Sequence, residues 1–385
     1  STIMNVGHYG SARLWNNNLK WGAQVQFERI NDKIVEWEKR DSAGYSLPHT
    51  GDGVNLFSNL YSRNTLESTR FSAYLQDEFK FRIEQGLFNL TAGVRGSYWS
   101  YNKEFIFSPR VSLGFIPNFN QDLTFRLATG LYYQSPFYKE LRRVVTDEEG
   151  NNVVQLNNNL KSQRSIHVIA GGDYTFRMAE RNFKLTAELY YKKLDNLVPY
   201  TVDNVKIRYY GENCAKGYAM GMDLKFFGEF VPGTDSWISL SLMKAEQTIR
   251  ETTKAPLPNS PQYNLSLFFQ DYFPGYKRVK LNLKGVLSGG LPVTIPNRGY
   301  EDGYWRTPAY KRVDIGLSYE LLAENDPIRD RSFFRYIKNA WLGLDIFNLF
   351  DMKNVNSYYW ITRPDGNQDA VPNYLTGRQI NARLI

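Results

Sequence analysis

Apolar and polar residues alternate one by one through most of this 385-residue chain, and few folds tolerate that pattern at such length. In Ala340 to Asp351, Leu342, Leu344 and Ile346 alternate with Gly343 and Asp345. In the last stretch, Asn373 to Ile385, Ile380, Ala382 and Leu384 alternate with Gln379, Asn381 and Arg383. A period of two gives a strand one apolar and one polar face. A strand that ends a chain this way leaves an edge to be paired, so what closes onto it decides the architecture.

The same period recurs throughout. Its clearest instance sets Phe183, Leu185, Ala187, Leu189 and Tyr191 against Lys184, Thr186, Glu188, Tyr190 and Lys192. A helix would scatter those charges around its circumference, so the segment is a strand. About 15 such strands are predicted, many as long as the roughly 9 to 11 residues a tilted strand needs to cross a bilayer. Turns near residues 17, 85, 119, 180, 233, 273 and 330 are shorter than most of the loops between them. Most of the connections between them are long and rich in Gly, Pro and Asn, notably Ser42 to Asn64, the stretch from Gln134 to Gln163, Pro199 to Asn213, Ser288 to Pro308 and Met352 to Pro372. Short turns on one rim and long loops on the other predict an all-β, antiparallel transmembrane β-barrel with the short rim periplasmic. A soluble sandwich has no reason to keep a two-rim rule over so many hairpins.

Composition agrees. Aromatics reach 15% while mean hydropathy is only −0.48, as expected of strands with one wet face. No apolar run approaches the roughly 18 residues of a helical span, so a membrane could be crossed only by a barrel. The net charge of +8 comes from Lys and Arg interleaved with apolar residues, and no nucleic-acid motif accompanies it. Cys214 is the single cysteine, which excludes an intramolecular disulfide, and His8, His49 and His167 lie far apart. There is no phosphate loop, nucleophile elbow or zinc-type His pair, so neither enzyme chemistry nor a cofactor is expected. Asp147 to Asn152 is acidic but lacks EF-hand spacing and reads as a solvated hairpin tip rather than a calcium site. No linker divides residues 1–385, and Ser1 is not followed by a secretory leader, which is expected to have been removed.

Two groups of residues are candidates for function. The polar phase carries Arg95, Arg126, Lys184, Glu188, Asp223, Lys280, Lys284, Arg312, Asp314, Asp345 and Arg383, as wall residues facing a lumen, a plug or a wet passage. Aromatics cluster on the long-loop side: Tyr132, Tyr133, Phe137 and Tyr138; Tyr300, Tyr304 and Trp305; Tyr358, Tyr359 and Trp360. They suit either stacking on a ligand or anchoring at the bilayer interface.

Several short stretches, in order along nearly the whole chain, carry a resemblance. They are Leu19-Lys20-Trp21-Gly22, Glu36-Trp37 with Asp41-Ser42-Ala43-Gly44-Tyr45, Ala92-Gly93-Val94-Arg95 and Ser108-Pro109-Arg110. Leu189-Tyr190-Tyr191-Lys192-Lys193, Gly217-Tyr218-Ala219-Met220-Gly221 and Leu344-Asp345-Ile346-Phe347-Asn348-Leu349-Phe350-Asp351 extend it. Together they resemble the TonB-dependent receptors of the Gram-negative outer membrane, in the style of the Bacteroidetes branch. The resemblance implies a barrel of about 22 strands filled by an N-terminal plug on which TonB pulls to admit a scarce ligand. No plug-like segment or TonB-contacting box is present, and an odd strand count puts Ser1 on the extracellular side. Residues 1–385 are therefore expected to be the C-terminal portion of such a barrel, with the plug and first strands outside them. The outward phase after Leu384 next falls just beyond Ile385, so a few C-terminal residues are expected to be missing as well. The implied partners are outer-membrane lipid, the plug, TonB and an unknown small ligand, peptide or glycan. A passive porin-like barrel, or the outer-membrane half of a surface assembly, is the alternative.

Overall fold

The computed structural model describes residues 1–40, 55–148, 152–203, 206–273, 275–294, 299–323, 326–330, 336–362 and 368–385. In chain order its strands begin with β1 (Thr2–Leu14), β2 (Asn17–Arg40), β3 (Asn55–Ile83), β4 (Gly86–Trp99), β5 (Glu104–Pro117) and β6 (Leu123–Gln134). A short helix α1 (Tyr138–Leu141) precedes β7 (Arg142–Thr146), β8 (Asn152–Leu156), β9 (Gln163–Met178) and β10 (Arg181–Leu197). Then come β11 (Tyr200–Asp203), β12 (Lys206–Tyr209), β13 (Ala215–Val231), β14 (Thr234–Ile249), β15 (Thr253–Pro256), β16 (Tyr263–Phe273) and β17 (Tyr276–Ser288). The rest are β18 (Pro292–Val293), β19 (Trp305–Arg306), β20 (Tyr310–Leu322), β21 (Ala340–Phe347), β22 (Val355–Thr362), β23 (Gln368–Tyr374) and β24 (Gln379–Leu384).

Fifteen of these pair in one antiparallel meander, in the order β1 to β6, β9, β10, β13, β14, β16, β17, β20, β21 and β24. That is the predicted strand number, and the terminal strand pairs where the alternation puts it, with Ile380 opposite Ile346. Its bounds are narrower than predicted, because Asn373 belongs to β23 and β24 starts at Gln379. Among the described residues β1 pairs only with β2 and β24 only with β21.

The register keeps one face apolar across the whole sheet. One row runs Phe79, Leu90, Leu113, Leu127, Ala170, Leu189, Met222 and Leu242; another runs Leu283, Ile315, Ile346 and Ile380. Leu189 is 58% exposed and Leu127 is 52% exposed, so this face meets no other part of the described chain. A slip of one residue at any hairpin would turn a strand's apolar set to the polar side, so alternation excludes odd slips and the turns choose among the even ones.

Near the short turns, the outward face carries a belt of stacked rings. Phe81 lies 5.3 Å from Phe88, Phe88 4.5 Å from Phe115, and Phe115 6.3 Å from Phe125. It resumes with Tyr174 and Phe176 at 5.2 Å and with Phe183 and Phe226 at 5.5 Å. Aromatic girdles mark the level where a barrel meets lipid headgroups.

Fully buried apolar side chains sit under the long loops instead. Leu66, Trp99, Leu141, Leu160 and Val198 form one cluster; Ala215, Ile249, Ala255 and Tyr300 form a second. The mid-wall has one face toward lipid and one toward the polar side, so these two buried clusters form where the loops fold over it.

The loops hold more structure than their composition predicts. Asn55 to Asn64, expected to be loop, continues β3, and the stretch after Gln134 contains α1 and the β7–β8 hairpin. Pro199 to Asn213 holds the β11–β12 hairpin, Ser288 to Pro308 the β18–β19 pair, and Met352 to Pro372 most of β22–β23. These segments lie beyond the bilayer, where neither face must be apolar, so period two fades from the sequence without the strand ending. The tip of the acidic stretch, residues 149–151, lies outside the described residues, as do residues 41–54.

Candidate functional site

Three guanidinium groups fall on neighbouring strands of the polar face: Arg70 on β3, Arg95 on β4 and Arg110 on β5. Arg70 stands opposite Trp99, Arg95 opposite Tyr74 and Ser108, and Arg110 between Gly93 and Gly130. Arg95 and Arg110 are thus diagonal neighbours, at a spacing that long side chains bridge. The flanking glycines leave Arg110 room, since a Cβ on Gly130 would come within 3.0 Å of its Cγ.

Arg95 and Arg110 differ in pairing from several of the wall's other charges. Asp173 accepts from Arg126 at 2.6 Å and from Thr186 at 2.6 Å, and lies 3.4 Å from Lys184. Arg312 binds Asp314 at 2.6 Å, and Arg383 lies 3.3 Å from Asp345. Arg70 sits 3.8 Å from Glu28, stacks 3.9 Å over Trp99, and keeps a buried Nε with no hydrogen-bond partner. Among the described residues Arg95 and Arg110 have no carboxylate at ion-pair distance. Arg110 instead lies 4.2 Å over the Tyr132 ring, which stacks on His167 at 4.2 Å.

Cavities of about 300 Å³ and about 390 Å³ share Arg95, Ser108 and Arg110 in their walls. Ser135 and Ser162, at the two ends of the long β6–β9 connection, line the first of them. That connection is tied to the wall. Val154 O accepts from Ser62 and Asn64, Asn102 donates to Leu160 O, and Glu104 accepts from Ser162 N at 2.9 Å and Ser162 Oγ at 2.6 Å. Ser162 is only 1% exposed, so Glu104→Ala strands two buried donors at about 1–3 kcal/mol each. The expected result is faster amide exchange around Ser162 and in the β7–β8 hairpin while the β9–β10 ladder stays protected. Glu104→Gln, which keeps one acceptor oxygen, should show a smaller effect.

The other candidates distribute as follows. Lys280 lies 5.0 Å from the Trp341 ring, while Glu188 stands opposite Asp223 and Lys284 opposite Asp314 on the polar face. Tyr133 stands opposite Arg164 at the end of β6. Phe137 meets Tyr209 edge-on at 5.4 Å, and Tyr138 donates to Asp32 at 2.9 Å. Burial, reinforced by that carboxylate, raises the Tyr138 phenol above its ordinary range. Burial also raises the carboxyl of Glu140, although it accepts from Phe137 N and Gln163. Trp305, Tyr358 and Trp360 converge from separate loop hairpins, with Trp305 6.0 Å from Tyr358 and 5.0 Å from Trp360. Tyr359 points away and is 62% exposed. Tyr300 is buried in the second loop cluster, with half-exposed Tyr304 6.4 Å from it. Asp173 and Arg70 are polar-face residues of the site that alternation alone does not single out.

No curated protein sequence matches the chain. Among solved structures it is similar to a mutant of the ferric enterobactin receptor PfeA from Pseudomonas aeruginosa, at 15% identity and a TM-score of 0.65 over 99% of this chain and 53% of that one. It is also similar to the siderophore receptor PirA from Acinetobacter baumannii, at 16% identity and a TM-score of 0.64 over 99% and 54%. A third similarity is to the ferric-catecholate import receptor Fiu from E. coli K12, at 13% identity and a TM-score of 0.63 over 99% and 54%. The chain spans about half the length of these solved relatives, and at such identity they show a shared fold. The model of the TonB dependent receptor-like β-barrel matches residues 4–349, so the chain belongs to that family and forms wall of a Gram-negative outer-membrane barrel.

Proposed function

We propose that this wall is part of an energised uptake receptor whose ligand carries negative charge and meets Arg95 and Arg110 on its way through the lumen. The observation that carries the proposal is the contrast in pairing. Arg126 and Lys184 share Asp173, Arg312 meets Asp314 and Arg383 meets Asp345 within the wall, whereas Arg95 and Arg110 face shared cavities with no carboxylate partner among the described residues. Unpaired guanidinium groups in a narrow, partly desolvated passage attract anions and bind them through charge-assisted hydrogen bonds. Ferric siderophores, named for several similar structures, fit that chemistry. Trp305, Tyr358 and Trp360 offer a stacking surface at the extracellular entrance.

On this reading the free edges of β1 and β24 are paired by further strands of a longer protein, because hydrocarbon leaves backbone groups no other partner. A plug coupled to TonB fills the lumen. The test is uptake of anionic and neutral ferric chelates by cells relying on this receptor, with and without working TonB. The expected result is TonB-dependent uptake that favours anionic chelates. Steady ion conductance of the purified full-length protein in planar bilayers, with uptake indifferent to TonB, would establish the porin-like alternative.

A further inference from the structure

The lipid-facing side carries a feature that uptake does not use. Strands β9, β10, β13 and β14 enclose an open apolar groove of about 670 Å³ in the half of the wall nearer the long loops. Small Ala170, between Leu127 and Leu189 in the register, leaves space at one side of the groove, and unbranched Met220 and Met222 line another part and adapt to irregular chains. Leu242 and Lys244 bound the groove on β14.

One outward step above it the chemistry changes to charge. Tyr218 donates to Glu246 at 2.6 Å, and Lys244 lies 3.2 Å from the other oxygen of that carboxylate. Lys254 is within electrostatic reach of Glu246. Lys193 stands opposite Tyr218, is exposed, and has no ion pair among the described residues. Lys244 and Lys254 therefore share the one carboxylate of Glu246, while Lys193, two strands from it, adds a further positive charge to the band. Other charges of this band pair among themselves, Arg164 with Asp195 at 2.9 Å and Lys216 with Glu251 at 3.8 Å. Lys193 and Lys244 are two strands and one outward step apart, roughly 12 Å by sheet spacing, which two lysine side chains can span to meet on one anion.

We propose that this groove is a specific site for one outer-leaflet lipid, with an acyl chain lying over Ala170 and Met220 and a headgroup phosphate held between Lys193 and Lys244. The cations lie on the extracellular side of the apolar groove, the order in which a phosphorylated, acylated glycolipid of that leaflet presents its parts. Neutral lipid would fill the groove without using the excess positive charge.

The test is native mass spectrometry of the full-length receptor extracted in mild detergent, with added diphosphorylated lipid A or the same lipid stripped of phosphate. The expected result is one retained diphosphorylated lipid, with retention lowered about tenfold or more in the Lys193→Gln, Lys244→Gln double variant. Lys193→Arg should retain it. Ala170→Phe, which fills the groove, should lower retention of both lipids. The lysine variants change only the rim of the wall, so they decide the matter if the groove variant fails to fold. Equal retention by the double variant and the unaltered protein would overturn the proposal. So would displacement of the lipid by excess inorganic phosphate together with unchanged retention in Ala170→Phe. These residues lie on the opposite face from Arg95 and Arg110, so the result is independent of ligand uptake.

Discussion

Leu240→Arg should destabilise the membrane-embedded barrel by about 2–4 kcal/mol, the cost of a cation on the lipid face near the bilayer midplane. Leu240 lies mid-strand in β14, in an outward row with Leu224 on one side and Leu265 on the other. An arginine there has no carboxylate in its row and no water at its depth. The neighbouring position gives the contrast. Ser241 belongs to the polar phase, opposite Asp223 and Asn264, so Ser241→Arg gains an acidic neighbour and should shift stability by less than about 1 kcal/mol. Urea unfolding in lipid vesicles measures both. A large penalty at 241 with none at 240 would mean that the faces are assigned the wrong way round.

The double variant Arg95→Glu, Arg110→Glu should weaken retention of an anionic ligand by about a hundredfold or more. Each guanidinium supplies charge-assisted hydrogen bonds worth about 1.5–3 kcal/mol, and reversal adds repulsion to their loss. Arg95→Lys with Arg110→Lys keeps the charge but loses the planar fork and the stacking on Tyr132, so an intermediate loss of about tenfold is expected. Arg126→Gln is the control for general charge loss. Its partner Asp173 keeps Thr186 and Lys184, and the ligand should barely register the change. Chelate binding to whole cells, read beside surface expression, separates the three. Equal losses in all would point to the net field of the wall rather than to a site.

The wall and the loops differ in how much of their structure the sequence carries. The wall was legible because lipid on one side and a polar lumen on the other force each residue to declare its face, as in Phe183 to Lys192. The segments past the bilayer were not. Ser62 and Asn64 continue β3 by pairing with Ile34 and Asp32 of β2, and their side chains bond the Val154 carbonyl of β8; nothing in an Asn- and Ser-rich stretch announces either contact. The phenylalanine belt was equally hidden, although every ring stood in a recognisable strand. Whether Phe88 meets Phe115 depends on the register set by turns that alternation does not specify. For the same reason Arg70, Arg95 and Arg110 became a patch only once three strands were aligned. Asp173 does not stand out in the sequence because Gly171 and Gly172 before it interrupt the apolar count of β9.

One continuous face of this sheet meets lipid and the other meets the lumen, and site-directed spin labelling along β10 distinguishes the two. With Cys214→Ser as background, single labels are placed from position 184 to 191 in the full-length receptor in bilayers. Positions 185, 187, 189 and 191 should be open to bilayer-dissolved oxygen and shielded from a water-soluble nickel complex. Positions 184, 186, 188 and 190 should show low oxygen accessibility. A strict period of two is the predicted result, whereas water-soluble relaxant reaching both sets equally, or a period of 3.6, would contradict it.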